Sequence, residues 1–444
     1  MNNQTNGGDN VYDLGIIGGI AYIGHSFEKM NVYIKDGLIR ALSNEPLPCK
    51  KAVDAAGKKV LPGFIDPHVH FALGVKDNRS KDDFYAGSVE ALYGGVTTYI
   101  DFLDPVKTAA DIEKQFEIRM ALAKESVVDY AFHTTVCNPT SSAKALIEAS
   151  KRVGINSIKL FTTYSDTDRR TYDDKIYELL KESKKQKVWI VVHAENDDLI
   201  DHSKGILVKD HERSRAAFTE NIEVMKLAAM ARKSGGNLYI VHVSAGSTAK
   251  EVYEGFHKEI LKKQIVLESC PHYFLLNCGT LSRIDGYKYT MTPPLRGEKE
   301  RKRLNEYIHA ITTIGTDHCP YTKAQKKHYY TSEIPMGIGG IRYAFLNMYN
   351  LYGFKILDKF TSGPAEVYGL KEKGKLLPGY DGDVVLFDEN EKTIVEDEMS
   401  VYQGKLLKGR IDTVILRGNI ALEKGTLKGG KGSYIRREDI YGRD

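Results

Sequence analysis

Four histidines and an aspartate stand at the ends of strand-like runs in this chain. GFIDPHVH closes on His68 and His70, VWIVVHAEN carries His193, LYIVHVSAG carries His242, and ITTIGTDHCPY carries Asp317. Imidazole nitrogens and a carboxylate are what Zn²⁺ and similar ions bind, and a catalytic site keeps one coordination position open for water. A single strand-end histidine is ordinarily a satisfied core residue. Four of the chain's 13 histidines at equivalent places, joined by an Asp, point instead to metal-dependent hydrolysis.

A fifth strand end brings in a second ion. In NSIKLFTTYS, Lys159 sits inside an apolar run, where desolvation depresses the ammonium pKa and exposes the neutral amine. Such an amine captures carbon dioxide, and the carbamate can bridge two ions about 3.5–4 Å apart, the separation of two-metal hydrolytic sites. Cys319, beside Asp317, is set aside as a nucleophile because no separate histidine is free to serve as its base.

Bringing these residues together takes a scaffold that gathers many strand ends on one face. Eight strand signals, from VLPGFIDPHVHF to ITTIGTDHCPY, alternate with amphipathic segments such as DDFYAGSVEALYGG and YDDKIYELLKESKKQ. That alternation predicts a (β/α)₈ barrel over residues 59–375, with catalytic residues at the C-terminal ends of its strands. A doubly wound sheet would show a glycine-rich turn opening a helix after its first strand, and GIIGGIAYIG precedes no helix. Residues 1–58 and 376–444 read as short β-branched strands broken by Gly and Asp, which predicts one β-sandwich built from both termini. The polar loop Thr322–Gly340 is a candidate lid.

Composition narrows the partners. With 444 residues, 42% hydrophobic and 27% charged, the chain can bury a large core. A net charge of +4 with no long Lys/Arg run argues against nucleic acid. The opening MNNQTNGGDN lacks the apolar stretch of a signal peptide, no run reaches the length of a membrane span, and five scattered cysteines form no CxxC pair. These features predict reduced thiols and a cytoplasmic protein.

The motifs GFIDPHVH, GGVTTYIDF, SIKLFTTYS, HAEN, VHVSAG, ESCPHY, TPPLR, GTDHCPY and SGPAEVYGLKEKGKLLPGYDGDVVLFD resemble the cyclic amidohydrolases, in their hydantoinase/dihydropyrimidinase branch, over nearly the whole chain. The resemblance implies that His68, His70 and Asp317 hold the more buried of two divalent ions, taken as zinc, that His193 and His242 hold the second, and that Lys159 is the carboxylated bridge. It further implies a homo-oligomer, dimeric or tetrameric. Tyr164, five residues past Lys159, matches a tyrosine that hydrogen-bonds the substrate carbonyl, and Thr292-Pro-Pro stands where the branch has Ser-Pro-Pro. Met336 replaces a usual Asn and Arg342 a usual carboxylate; Phe71, Thr292 and Met336 are expected to wall the substrate.

On this basis the expected reaction opens a neutral cyclic ureide or imide to an N-carbamoyl amino acid, with Asp317 as general base and then acid and Tyr164 stabilising the oxyanion. A dihydroorotase would carry an Arg two residues past its HxH motif; here that residue is Ala72, which predicts preference for neutral rings. Allantoinase shares the metal motif, and dihydropyrimidinase-like scaffold proteins keep the fold while losing ligands.

Overall fold

A computed structural model describes residues 11–75, 78–437 and 439–440; the polar segment 1–10 lies outside the described residues. Eight parallel strands form one sheet in sequential order: β1 (Phe64–Asp66), β2 (Val96–Phe102), β3 (Asp129–Thr135), β4 (Ser157–Phe161), β5 (Trp189–His193), β6 (Leu238–Ile240), β7 (Ile265–Ser269) and β8 (Thr313–Ile314). Their residues are almost all buried, as expected for strands covered on both faces. Helices fill the outer layer: α1 (Phe84–Tyr93), α2 (Ile112–Ala123), α3 (Ala143–Arg152), α4 (Asp173–Gln186), α5 (Ala217–Ser234), α6 (Gly246–Gly255), α7 (Glu298–Glu306) and α8 (Ala344–Tyr352). Local signals start them where expected, since the Asp83 carboxylate caps α1 by accepting from the Ala86 N–H at 2.8 Å.

The ring closes just past the ends of β1 and β8. The Asp317 N–H donates to the His68 carbonyl and the His70 N–H to the His318 carbonyl, both at 2.9 Å. Asp66 clasps the same seam, accepting from the backbone N–H groups of His68 and Thr316 at 3.1 Å and from the Thr316 hydroxyl at 2.5 Å. The expected (β/α)₈ barrel is therefore what forms. Among the described residues no helix is long and apolar enough to cross a membrane.

The flanking strands build two facing sheets. One holds Tyr12–Ile17, Asn31–Lys35, Leu38–Ser43 and Cys49–Asp54; the other, seven-stranded, interleaves Ile20–Ile23, Ser26–Lys29 and Lys59–Pro62 with Val384–Ile394, Leu406–Leu416, Asn419–Glu423 and Thr426–Leu427. Leu14, Ile16, Val32 and Ile34 from the first meet Val60, Val384, Leu386 and Ile415 from the second in one buried cluster.

Two boundaries move. Lys59–Pro62 pairs antiparallel with Val384–Phe387, so the sandwich reaches past the expected break after residue 58, and we place the division at Gly63. VLPGFID reads as one apolar run because the chain passes from one sheet to the other across a single glycine. The C-terminal segment also leaves the sandwich: Tyr434 bridges to Tyr130 on β3, and Ile440 joins Ile65, Ile100, Val191, Val266 and Tyr368 inside the barrel bottom.

Barrel and sandwich are pinned together by a buried ammonium. Lys373 Nζ lies 2.6 Å from Asp129 on β3 and 2.7 Å from both Asp381 and Asp383, beside the Val384 strand. These three carboxylates could otherwise gather a metal ion, and the lysine occupies their centre. Replacing Lys373 by Met removes the cation shared by all three carboxylates, although Arg417 still pairs with Asp129, so we expect the unfolding free energy in urea to fall by about 3–5 kcal/mol; a midpoint unchanged from the parent contradicts this joint.

Candidate metal centre

Beyond the strand ends the backbone turns sharply to aim side chains over the barrel mouth. Tyr164, His242 and Asp317 all have positive φ, at 69°, 39° and 52°. Each such non-glycine residue costs of the order of 1–3 kcal/mol, strain that a packed scaffold can sustain at a functional site. Gly315 makes room beneath them, because a Cβ there would lie 2.8 Å from the Glu268 carboxyl carbon and 2.9 Å from His68 Cβ.

His68, His70 and Asp317 converge as expected. The His68 and His70 Nε2 atoms are 3.2 Å apart, and Asp317 Oδ1 lies 3.2 Å from the first and 3.1 Å from the second. Three ligand atoms so placed form a metal-binding triangle. His193 and His242 sit beside it, their ring centroids 4.6 Å apart and that of His242 5.5 Å from His68. Lys159 reaches the same space, with Nζ 5.2 Å from the Phe102 ring centroid. The Phe102 ring stacks on His70 at 4.6 Å, drying the floor.

Charge and burial prepare these groups for an ion. Burial pushes Lys159 down to about 8, against the pull of the Asp317 and Glu268 carboxylates. Burial would also lower His68, but Glu268 and Asp317 lift it to about 9. Asp317 stays well below the ordinary carboxylate range despite burial, held there by His68 and His70. The Nδ1 atoms of His70 and His242 are buried without a hydrogen-bond partner among the described residues. A donor set of imidazoles and carboxylate around a buried, readily neutralised lysine fits divalent ions.

The amidohydrolase family model matches residues 59–421. The chain belongs to that family. This amidohydrolase is 29% identical to a D-phenylhydantoinase of Escherichia coli O1:K1, over 92% of its own length and 95% of that protein's. It is 28% identical to a D-hydantoinase of Ralstonia pickettii over 96% and 99%. In structure it is similar to the D-hydantoinase (dihydropyrimidinase) of a Thermus species, with a TM-score of 0.89, 28% identity and coverage of 97% and 100%.

Of the expected substrate residues, Tyr164 and Thr292 meet, hydroxyl to hydroxyl, at 2.8 Å. Met336 is partly buried against the main core, on a loop tied to the Thr292 segment by the Gly337 N–H on the Thr290 carbonyl. Phe71 does not line the mouth. It is fully buried between Phe84 and Tyr99 on the helix side of the barrel, against α1 where Gly87 leaves room for its ring. The pleat explains this: successive residues past His70 alternate faces, and Phe71 takes the outward one. Arg342 also faces away, paired with Glu90 at 3.2 Å beside a separate cavity of about 470 Å³.

Sequence reasoning missed the groups that hold the ligands. Glu268 accepts from His68 Nδ1–H at 2.8 Å, from the Tyr239 hydroxyl at 2.6 Å and from the His242 N–H at 3.2 Å. Glu195 pairs with His193 Nε2 at 2.7 Å and with Arg215 at 2.6 Å. Burial alone would raise the Glu195 pKa, but Arg215 and His193 hold it well below the usual range. The available signal was an acid inside an apolar strand in LES, and one just past the end of such a strand in HAEN.

Because Glu268 fixes the His68 tautomer and steadies the His242 backbone, Glu268→Gln should weaken metal retention by about 10–100-fold in competition with a chelator. Retention equal to the parent protein's contradicts that role.

Proposed function

We propose that this chain hydrolyses the ring amide of a cyclic ureide or imide, of hydantoin or dihydropyrimidine type, releasing an N-carbamoyl amino acid. The observation that carries this is the Tyr164–Thr292 hydroxyl pair beside the candidate ligand His193, whose ring centroid lies 5.2 Å from that of Tyr164. The hydantoinase names of the relatives support the same substrate class.

Two divalent ions, zinc in this proposal, would be held by His68, His70 and Asp317 and by His193 and His242, with a Lys159 carbamate common to both; when bound they supply Lewis acidity and a water acidified to a pKa near about 7. The chain's own residues do the rest. Asp317 accepts the attacking water's proton at its carboxylate and passes it to the departing ring nitrogen, which an amide needs because its nitrogen leaves poorly. The Tyr164 hydroxyl donates to the carbonyl oxygen as charge develops there, and the Thr292 hydroxyl fixes its direction. Glu195, braced by Arg215, holds the His193 ring in place. A homo-oligomer, dimer or tetramer, in the cytoplasm belongs to the same proposal.

A panel of dihydrouracil, hydantoin, 5-substituted hydantoins, allantoin and dihydroorotate tests the reaction class; the expected result is opening of hydantoin or dihydrouracil, and hydrolysis of allantoin alone overturns it. Asp317→Asn should reduce turnover by about 10²–10⁴-fold while preserving the fold; a rate within a few-fold of the parent removes Asp317 from proton transfer.

The Lys159 bridge makes a pH prediction. Carbon dioxide adds only to the neutral amine, and Lys159 loses its proton near about 8. Reconstitution of metal-free protein should therefore quicken as pH rises through that value, and should depend on added bicarbonate. Lys159→Ala should lose at least one ion and recover partly with short carboxylic acids. Full activity and both ions in the Lys159→Ala protein defeat this assignment.

A further inference from the structure

The loop that follows β4 carries a cation the mechanism has not used. After Tyr164 the chain makes a tight turn: the Thr167 N–H and the Arg169 N–H both donate to the Tyr164 carbonyl, at 3.2 Å and 3.1 Å, and Asp168 is left-handed at φ 57°. The backbone then returns to the sheet, with Arg170 bridged to Phe161 and the Thr171 N–H donating to the Phe161 carbonyl at 2.8 Å. Asp168 is tied down by Lys107 and by Asn138, so the turn is clamped from the side of the preceding loops. Arg169 is thereby held within one turn of the residue proposed to touch the substrate carbonyl.

Its neighbours are all spoken for. Arg170 makes two hydrogen bonds to Asp198, at 2.7 Å and 2.9 Å. Arg215 is committed to Glu195. Arg169, a half-buried residue, by contrast has no side-chain hydrogen bond, ion pair or ring contact among the described residues. Burial raises the pKa values of Tyr164, Tyr321 and Cys137, and the Arg169 charge acts against that rise at all three. Those residues follow β4, β8 and β3 respectively. The turn itself sets Arg169 next to Asp168, whose partners Lys107 and Asn138 come from the loops after β2 and β3, so Arg169 stands where three loops of the barrel mouth meet.

We propose that Arg169 anchors a carboxylate on the exocyclic side chain of the substrate, so that the preferred ring is a hydantoin or dihydropyrimidine bearing an acidic substituent. The planar guanidinium fork matches a carboxylate with two parallel hydrogen bonds, and a half-buried position strengthens them relative to open solvent. Ala72 leaves no cation at the place a dihydroorotase uses, and Arg169 supplies one from a different loop, beside Tyr164. Discrimination follows because a neutral side chain of the same shape leaves the guanidinium without its anion.

This inference rests on the ring-opening proposal, and the test separates the two. The metal-loaded enzyme is assayed on hydantoin, 5-(2-carboxyethyl)hydantoin, its isosteric carboxamide and dihydroorotate. We expect kcat/KM for the acid to exceed that for the carboxamide by roughly 10–100-fold, the scale of a charge-assisted pair. Arg169→Met should collapse this ratio towards unity, chiefly through KM, and Arg169→Lys, which keeps the charge but loses the fork, should retain only part of it. The ratio is internal to each preparation, so partial misfolding of a variant does not disturb it. Opening of hydantoin without preference for the acid, or an acid-to-amide ratio unmoved in Arg169→Met, overturns the role of Arg169 alone. Dihydroorotate turned over faster than the carboxyethyl ring also overturns it, by placing the anion on the ring itself. Failure to open any of the four rings overturns both proposals.

Discussion

The seam between β1 and β8 is the constraint on which the candidate site depends. His68 and Asp317 are far apart in sequence and become neighbours only because the last strand closes on the first, the Asp317 N–H meeting the His68 carbonyl. Asp66 locks the register by accepting from both sides of the seam, and its burial raises its pKa to about 7. A slip of one residue there would turn His68 and His70 to the helix side and Phe71 to the mouth. The geometry of the three ligand atoms is thus a by-product of ring closure.

Around that seam the protein keeps several charges dry, which is expensive unless each is matched. Glu195 is paired with Arg215, whose carbonyl accepts from Arg296, and Arg296 in turn pairs with Glu220. Asp101 accepts from Arg119 at 2.7 Å and from the Phe71 N–H at 2.9 Å, fixing the chain just beyond His70. Each pair reaches a ligand-bearing segment from a different helix or loop. The network contributes placement more than stability, since replacing matched buried ions with apolar groups is often neutral.

The barrel, the terminal sandwich and the converging histidines and aspartate were legible because each leaves a local mark: continuous apolar runs, amphipathic spacers, and ligand types at run ends. What escaped depends on the direction of a side chain or on partners distant in sequence. Phe71 differs from His70 by one position, and only the pleat says which faces the mouth. The sandwich boundary was hidden because Lys59–Pro62 and Phe64–Asp66 are one hydrophobic run shared between two sheets. Glu268 and Glu195 lay inside quoted motifs, yet their partners come from other strands and loops.

The C-terminal strip on β3 has a consequence for how the molecule is made. Arg437 donates to the Phe132 carbonyl across 305 residues of sequence, and Ile440 seals the barrel floor beneath β1 and β2. Every candidate metal ligand lies between residues 68 and 317 and so leaves the ribosome earlier. During synthesis, then, every ligand-bearing strand is available before the segment that closes the opposite end has emerged, and until it does the barrel floor has no cover from that segment. Loops this long close slowly and at an entropic cost. In that interval the exposed floor, rather than the site, is what a chaperone or a protease would meet.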